Sequence, residues 1–141
     1  MKNHLRRIVI VSLAAYICMA ASCDKYRKAG ELAKDVAAGV LLAQQTEITL
    51  HKAGKIDDQT HQAIQQKFLA LADAGMRLDK AINQTHNAGS ATEALKECTA
   101  ALDDLSTNGL FEIKDQQTVN TIRAILLTVQ TTLNNIAALS S

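Results

Sequence analysis

No proline occurs anywhere in these 141 residues, and that absence constrains the fold more than any other feature. Proline ends helices because its ring fixes φ and its nitrogen donates no hydrogen bond. A chain without it, rich in Ala, Leu, Gln and Lys, is free to run long unbroken helices. The 48% hydrophobic and 21% charged side chains exclude a disordered or collagen-like chain. Three cysteines are too few for a disulfide-stapled mini-domain, and the length fits one domain. A formal charge of +1 offers no basic footprint for nucleic acid.

The N-terminus carries the clearest motif. Lys2, Arg6 and Arg7 form a positive start, and Ile8 to Ser22 is an apolar run without an acidic residue. Fifteen residues at about 1.5 Å each reach roughly 22 Å, short of the ~30 Å hydrocarbon core that a spanning helix must cross. A secretion signal explains the segment better. It ends in Ala20-Ala21-Ser22-Cys23, which resembles the lipobox of bacterial lipoproteins, although Ala stands at position 20 where Leu is commoner. The resemblance covers residues 1–23 only. It implies cleavage between Ser22 and Cys23, acyl chains on Cys23, and an exported protein held to a bacterial membrane, facing the periplasm or the exterior. Under the sorting rule of some Gram-negative bacteria, Asp24 implies retention in the inner membrane.

Processing changes the arithmetic of the remainder. Cys18 leaves with the signal and Cys23 takes the lipid, so Cys98 is left alone and no disulfide forms within the mature chain. Loss of Lys2, Arg6 and Arg7 leaves 12 basic against 14 acidic side chains, a net charge of −2. Lys25, Arg27 and Lys28 come directly after the expected anchor, where they suit either anionic headgroups or an ordinary helix start.

Glycines and caps divide the rest of the chain. Gly54, Gly89 and Gly109 each come after an apolar-periodic segment, as helix-ending residues do. Asp57 or Asp58, the pattern Ser90-Ala-Thr-Glu93 and Asp115 supply helix starts. The spacing predicts helices over about 25–53, 58–86, 91–107 and 116–139. Each carries a core stripe at three- and four-residue steps. The first helix offers Leu32, Val36, Gly39, Ala43, Thr46 and Leu50, and the second His61, Ile64, Phe68, Leu71, Gly75, Leu78 and Ile82. The third offers Ala91, Leu95, Cys98, Leu102 and Leu105, and the fourth Val119, Ile122, Leu126, Val129, Leu133 and Ile136.

Folding back at Gly54 sets Val36 against Gly75, Gly39 against Leu71 and Ala43 against Phe68, small facing large. A second hairpin sets Leu102 against Ile122, Cys98 against Leu126 and Leu95 against Val129. The expected fold is all-α, an antiparallel up-down four-helix bundle of two hairpins. It divides as signal 1–22, lipidated cysteine and tether 23–28, and bundle 29–141, with a homodimer as the architectural alternative.

Cys23, the turn at Asn87 to Ser90 and the C-terminus then belong at the membrane end, while Gly54 to Asp57 and Asn108 to Asp115 form the distal tip. Leu110, Phe111 and Ile113 give that tip an apolar loop, which either plugs the bundle or meets a partner. From Gln116 onward Arg123 is the only charged residue, so the last helix suits a central position or a face toward another copy or a partner.

Catalytic constellations are missing from the sequence. Di-metal bundles need Glu-x-x-His pairs on two helices, and this chain has none. Glu47, His51 and His61 flank one turn, so a small metal site there is geometrically conceivable; the simpler reading leaves Glu47 and His51 solvated and His61 partly buried. His86 suits the C-terminal end of the second helix dipole, and Cys98 reads as a packed hydrophobe. No metal, cofactor, nucleic acid or enzymatic activity is expected. The expected function is non-catalytic binding or spacing by a lipid-anchored envelope protein, with a protein partner or a second copy. An anchored immunity or exclusion factor against a toxin or phage component is the alternative.

Overall fold

A computed structural model of the chain describes residues 2–140, with side chains described over residues 24–139. Ser22 and Cys23, the expected cleavage and lipidation residues, lie outside the described side chains. The described chain is all-helical: α1 (Lys2–Lys52), α2 (Asp58–Asp79), α3 (Ala88–Asp104) and α4 (Gln116–Ser140). Among the described residues there is no strand. One π-helical turn (Lys80–Gln84) extends α2; another (Leu105–Gly109) and a 3-10 turn (Leu110–Glu112) extend α3.

Local chemistry fixes most of the breaks. Gly54 has φ +72° and ends α1 in a Schellman motif: its N–H donates to the His51 carbonyl at 2.8 Å, and the Lys55 N–H donates to the Leu50 carbonyl at 3.0 Å. The Asp57 side chain then caps α2 by accepting from the Thr60 N–H at 2.8 Å. Asp115 caps α4 by accepting from the Thr118 N–H at 3.1 Å and the Thr118 hydroxyl at 2.6 Å.

Two expected breaks fall elsewhere. Gly89 and Ser90 lie inside the first turn of α3, so neither the glycine stop nor the cap at Ser90 is used. His86, at φ +48°, takes the left-handed position with its ring edge-on to Tyr26. Asn87 supplies the cap by accepting from the Ser90 N–H at 3.0 Å. Asparagine is as good a cap as serine, and starting at Ala88 adds helical turn. Gly109 is buried and not left-handed (φ −70°). It leaves room for the aliphatic stem of Lys67, whose Cδ would lie 3.0 Å from a Cβ there.

The expected faces of α2, α3 and α4 point inward, with Ile64, Phe68, Leu71, Leu78, Cys98, Leu102, Ile122, Leu126, Val129, Leu133 and Ile136 all buried. On α1 the buried line is Ala29, Ala33, Val36, Val40, Ala43 and Glu47, whereas Leu32, Gly39, Thr46 and Leu50 are only half-buried. The reason is that α1 packs more on α4 than on α2, the hairpin partner from which its stripe was assigned. Helices meet in the order α1 to α2, α2 to α3, α3 to α4 and α4 to α1, and the α1–α4 contact is the most extensive of these.

Gly39 therefore faces α4 and not Leu71: a Cβ at Gly39 would lie 2.6 Å from Val129 Cγ2. Gly75 is no close crossing either, because a Cβ there meets nothing within 4 Å. Likewise α4 packs more on α1 than on α3, and a groove bounded by Leu95 and Leu133 opens between α3 and α4.

The two central glycines should thus respond oppositely to alanine. Val129 is β-branched and stiff in a helix, so overpacking at Gly39→Ala costs about 1–3 kcal/mol, only partly offset by ~1 kcal/mol of helix propensity. Gly75→Ala gains that propensity with no clash. Urea denaturation of both variants checks this, with Gly39→Ala expected below the parent and Gly75→Ala at or above it.

Candidate functional site

The end of the helices that carries loops 54–57 and 112–115 holds a buried polar cluster. Glu47, one turn before the end of α1, is fully buried (0% exposed). A buried carboxyl needs partners, and it has two. His61 Nδ1–H donates to Glu47 Oε1 at 2.8 Å, and Gln65 Nε2 donates to Glu47 Oε2 at 2.5 Å. Gln44 Nε2 in turn donates to Gln65 Oε1 at 2.8 Å. Among the described residues no buried side-chain nitrogen or oxygen lacks a partner.

His51 completes the cluster. Its ring stacks on His61 with centroids 4.0 Å apart and planes 3° from parallel. Since a carbonyl only accepts, its Nδ1 carries the proton and donates to the Ile56 carbonyl at 2.9 Å. That bond ties the loop after Gly54 to α1, and Asp58 lies 3.5 Å from His51 Nε2. The structure therefore brings Glu47, His51 and His61 together, but Glu47 and His51 are not solvated as the sequence suggested. Glu47 continues the three- and four-residue steps from Val36, Val40 and Ala43, the one signal that could have found it.

The three side chains do not converge as ligands. Both Nδ1 atoms and both Glu47 oxygens are engaged in hydrogen bonds. Among the described residues no group of three or more His, Cys, Asp or Glu is placed to hold a metal ion. What the cluster does is clamp α1 to α2 beneath the tip.

Above it, the loops 54–57 and 112–115 face each other across a cleft of about 350 Å³. Opposite charges lace the loops. Asp57 is held below its ordinary carboxylate value first by the Thr60 N–H and also by Lys114. Asp115 is lowered first by the Thr118 hydroxyl, with a further contribution from Lys55. Of the apolar tip residues, Leu110 and Ile113 are buried in the end of the core, while Phe111 is 86% exposed.

At the opposite end Tyr26, Ala88 and Leu139 line one small cavity. Arg27 and Lys28 there share Asp24, at 2.7 and 3.5 Å. Cys98 is free and fully buried. Burial pushes its thiol up to about 11, which suits a packed side chain and not a nucleophile. No helix among the described residues is long and apolar enough to cross a membrane. Compared with protein-family models, curated proteins and solved structures, the chain matches none.

Glu47→Gln and His61→Gln should each destabilise the protein and couple in a double-mutant cycle by about 1–2 kcal/mol. Urea midpoints of the four chains measure this, and a coupling near zero would contradict the clamp.

Acid should act through the caps. Because Asp57 and Asp115 are lowered in the folded state, their stabilisation is complete above the ordinary carboxylate range and is lost as pH falls through their lowered values, below about pH 4. The double variant Asp57→Asn, Asp115→Asn keeps a capping oxygen without the titration. Its thermal midpoint should fall less steeply below pH 4 than the parent's.

Proposed function

We propose that this chain is an exported, lipid-anchored protein of the bacterial envelope, acting without catalysis as a binding or spacing module. Its helices form an antiparallel up-down four-helix bundle, anchored at one end through Cys23 and offering the other end to a protein partner. Support for the anchor is the positive start, the short apolar run and the small residues before Cys23. The cyclic order of helix contacts and the hydrogen bonds that join Gln44 and Glu47, late in α1, to His61 and Gln65, early in α2, support the bundle.

The observation that carries the binding role is Phe111. An aromatic ring left almost wholly in water, beside two neighbours from the same loop that are buried, costs the chain apolar exposure that a partner pocket would recover. Aromatic side chains are the commonest anchors of protein interfaces. The charged cleft of Lys55, Asp57, Lys114 and Asp115 beside the same loop would form the polar rim.

Two variants in a bacterial host test the two halves of this reading. With a clickable fatty acid supplied in the medium, the parent chain should take up label and Cys23→Ser should lose it and leave the membrane fraction; retained label would contradict the anchor. With a photoreactive residue in place of Glu112, a discrete crosslinked species should form, disappear in the Phe111→Ala background and persist in Leu127→Ala. Adducts indifferent to Phe111 would contradict the tip as the contact surface.

A further inference from the structure

The groove between α1 and α2 has features the bundle does not need. It encloses about 520 Å³, within the ~300–1,000 Å³ usual for small-molecule sites. It runs along α1 from Ala33 to Gln44 and along α2 from Leu71 to Gln84, roughly 17–20 Å at 1.5 Å per residue. Its walls are largely apolar, including Val40 and Leu71, and its lips are Leu41 and Met76, which are 53% and 65% exposed.

Gly75 lies on this groove, and a Cβ there would meet nothing within 4 Å. A mid-helix glycine costs about 1 kcal/mol against alanine, and here no packing contact explains it. Empty space in the floor does. One end of the groove is lined by Lys34, Lys80 and Asp79, two positive side chains against one negative. Asp79 accepts from Asn83 at 2.6 Å, and among the described residues neither lysine makes an ion pair. The far end, near Gln44, carries no charge.

We propose that this groove binds one long-chain fatty acid, with its hydrocarbon over Gly75 between Leu41 and Met76 and its carboxylate between Lys34 and Lys80. The groove is close in length to one acyl chain, about half of a ~30 Å hydrocarbon core. Apolar walls ending at one side in two lysines and one aspartate, a net positive charge, match an anionic single-chain amphiphile.

Hexadecanoate carrying a mid-chain diazirine is the probe, added to lipid nanodiscs that hold the full chain, with crosslinks mapped on peptides so that acylation at Cys23 is read separately. Expected are crosslinks within 37–44 and 71–76, competed by unlabelled hexadecanoate and weaker with the neutral hexadecanol. Gly75→Leu starts from a Cβ that meets nothing within 4 Å and puts its side chain into the groove, so it should lower crosslinking roughly tenfold. Gly75→Ala, which leaves the groove open, should keep it, and equal thermal midpoints of the two variants exclude a folding defect. Lys34→Gln with Lys80→Gln should lower it roughly threefold. Crosslinks elsewhere, or equal crosslinking in Gly75→Leu, would overturn the assignment. So would a Met76→Cys disulfide between two copies that Gly75→Leu abolishes while hexadecanoate leaves it unchanged, because the groove would then belong to a second copy.

Discussion

At Gly39 the backbone of α1 comes so near α4 that a single Cβ would lie 2.6 Å from Val129 Cγ2. That approach decides how α1 is turned about its own axis. With Gly39 toward α4, the line Val36, Val40, Ala43 points into the centre and Leu41 is left at the outer edge of the α2 side. The α1–α4 contact is the broadest in the molecule, and it depends on the absence of a side chain at one position. Close packing of this kind tolerates little added volume. The same rotation leaves a second glycine, Gly75, over open space instead of at a crossing.

Rotation of α1 also buries Glu47. An acid on the central line would be a heavy cost unless its oxygens were satisfied, and His61 and Gln65 satisfy both. The two imidazoles then connect the helix pair to the loop beneath the tip, since His51 holds the Ile56 carbonyl. A polar network thus sits beside the apolar side chains, Ile56, Leu110 and Ile113, that close this end of the core. Above it, Asp57 and Asp115 cap α2 and α4, and the second of these caps follows the turn that carries Phe111.

Much of this was legible in the residues. Three- and four-residue spacing placed the inward faces of α2, α3 and α4, because each is a single apolar stripe. On α1 two adjacent stripes, one through Leu32, Gly39 and Thr46 and one through Ala33, Val40 and Glu47, are about equally plausible. Periodicity alone does not choose between them, because it carries no sign that α1 packs more on α4 than on its hairpin partner α2. Glu47 was read as surface because carboxylates usually are. Asp57 and Asp115 were legible as caps; Asn87 was not preferred, because the nearby Gly89 and Ser90 imitate the same signals. An apolar tip was legible from Leu110, Phe111 and Ile113, but which of them faces water depends on the 3-10 turn that carries them. Residue order gives no sign of the α1–α2 groove, since Gly75 reads equally well as a close crossing and as open space.

The orientation of α1, and with it the buried cluster and the groove, turns on the meeting of Gly39 with Val129. The distance between a Cβ at Gly39 and Val129 Cβ, 3.9 Å, lies within the disulfide range of about 3.5–4.5 Å. Mild oxidation of the double variant Gly39→Cys, Val129→Cys, followed by non-reducing electrophoresis, is the most direct test. An intramolecular disulfide should form in nearly all molecules, and none should form in the control Gly75→Cys, Val129→Cys. Failure of the first pair to close, or closure of the control, would contradict the placement of α1 against α4.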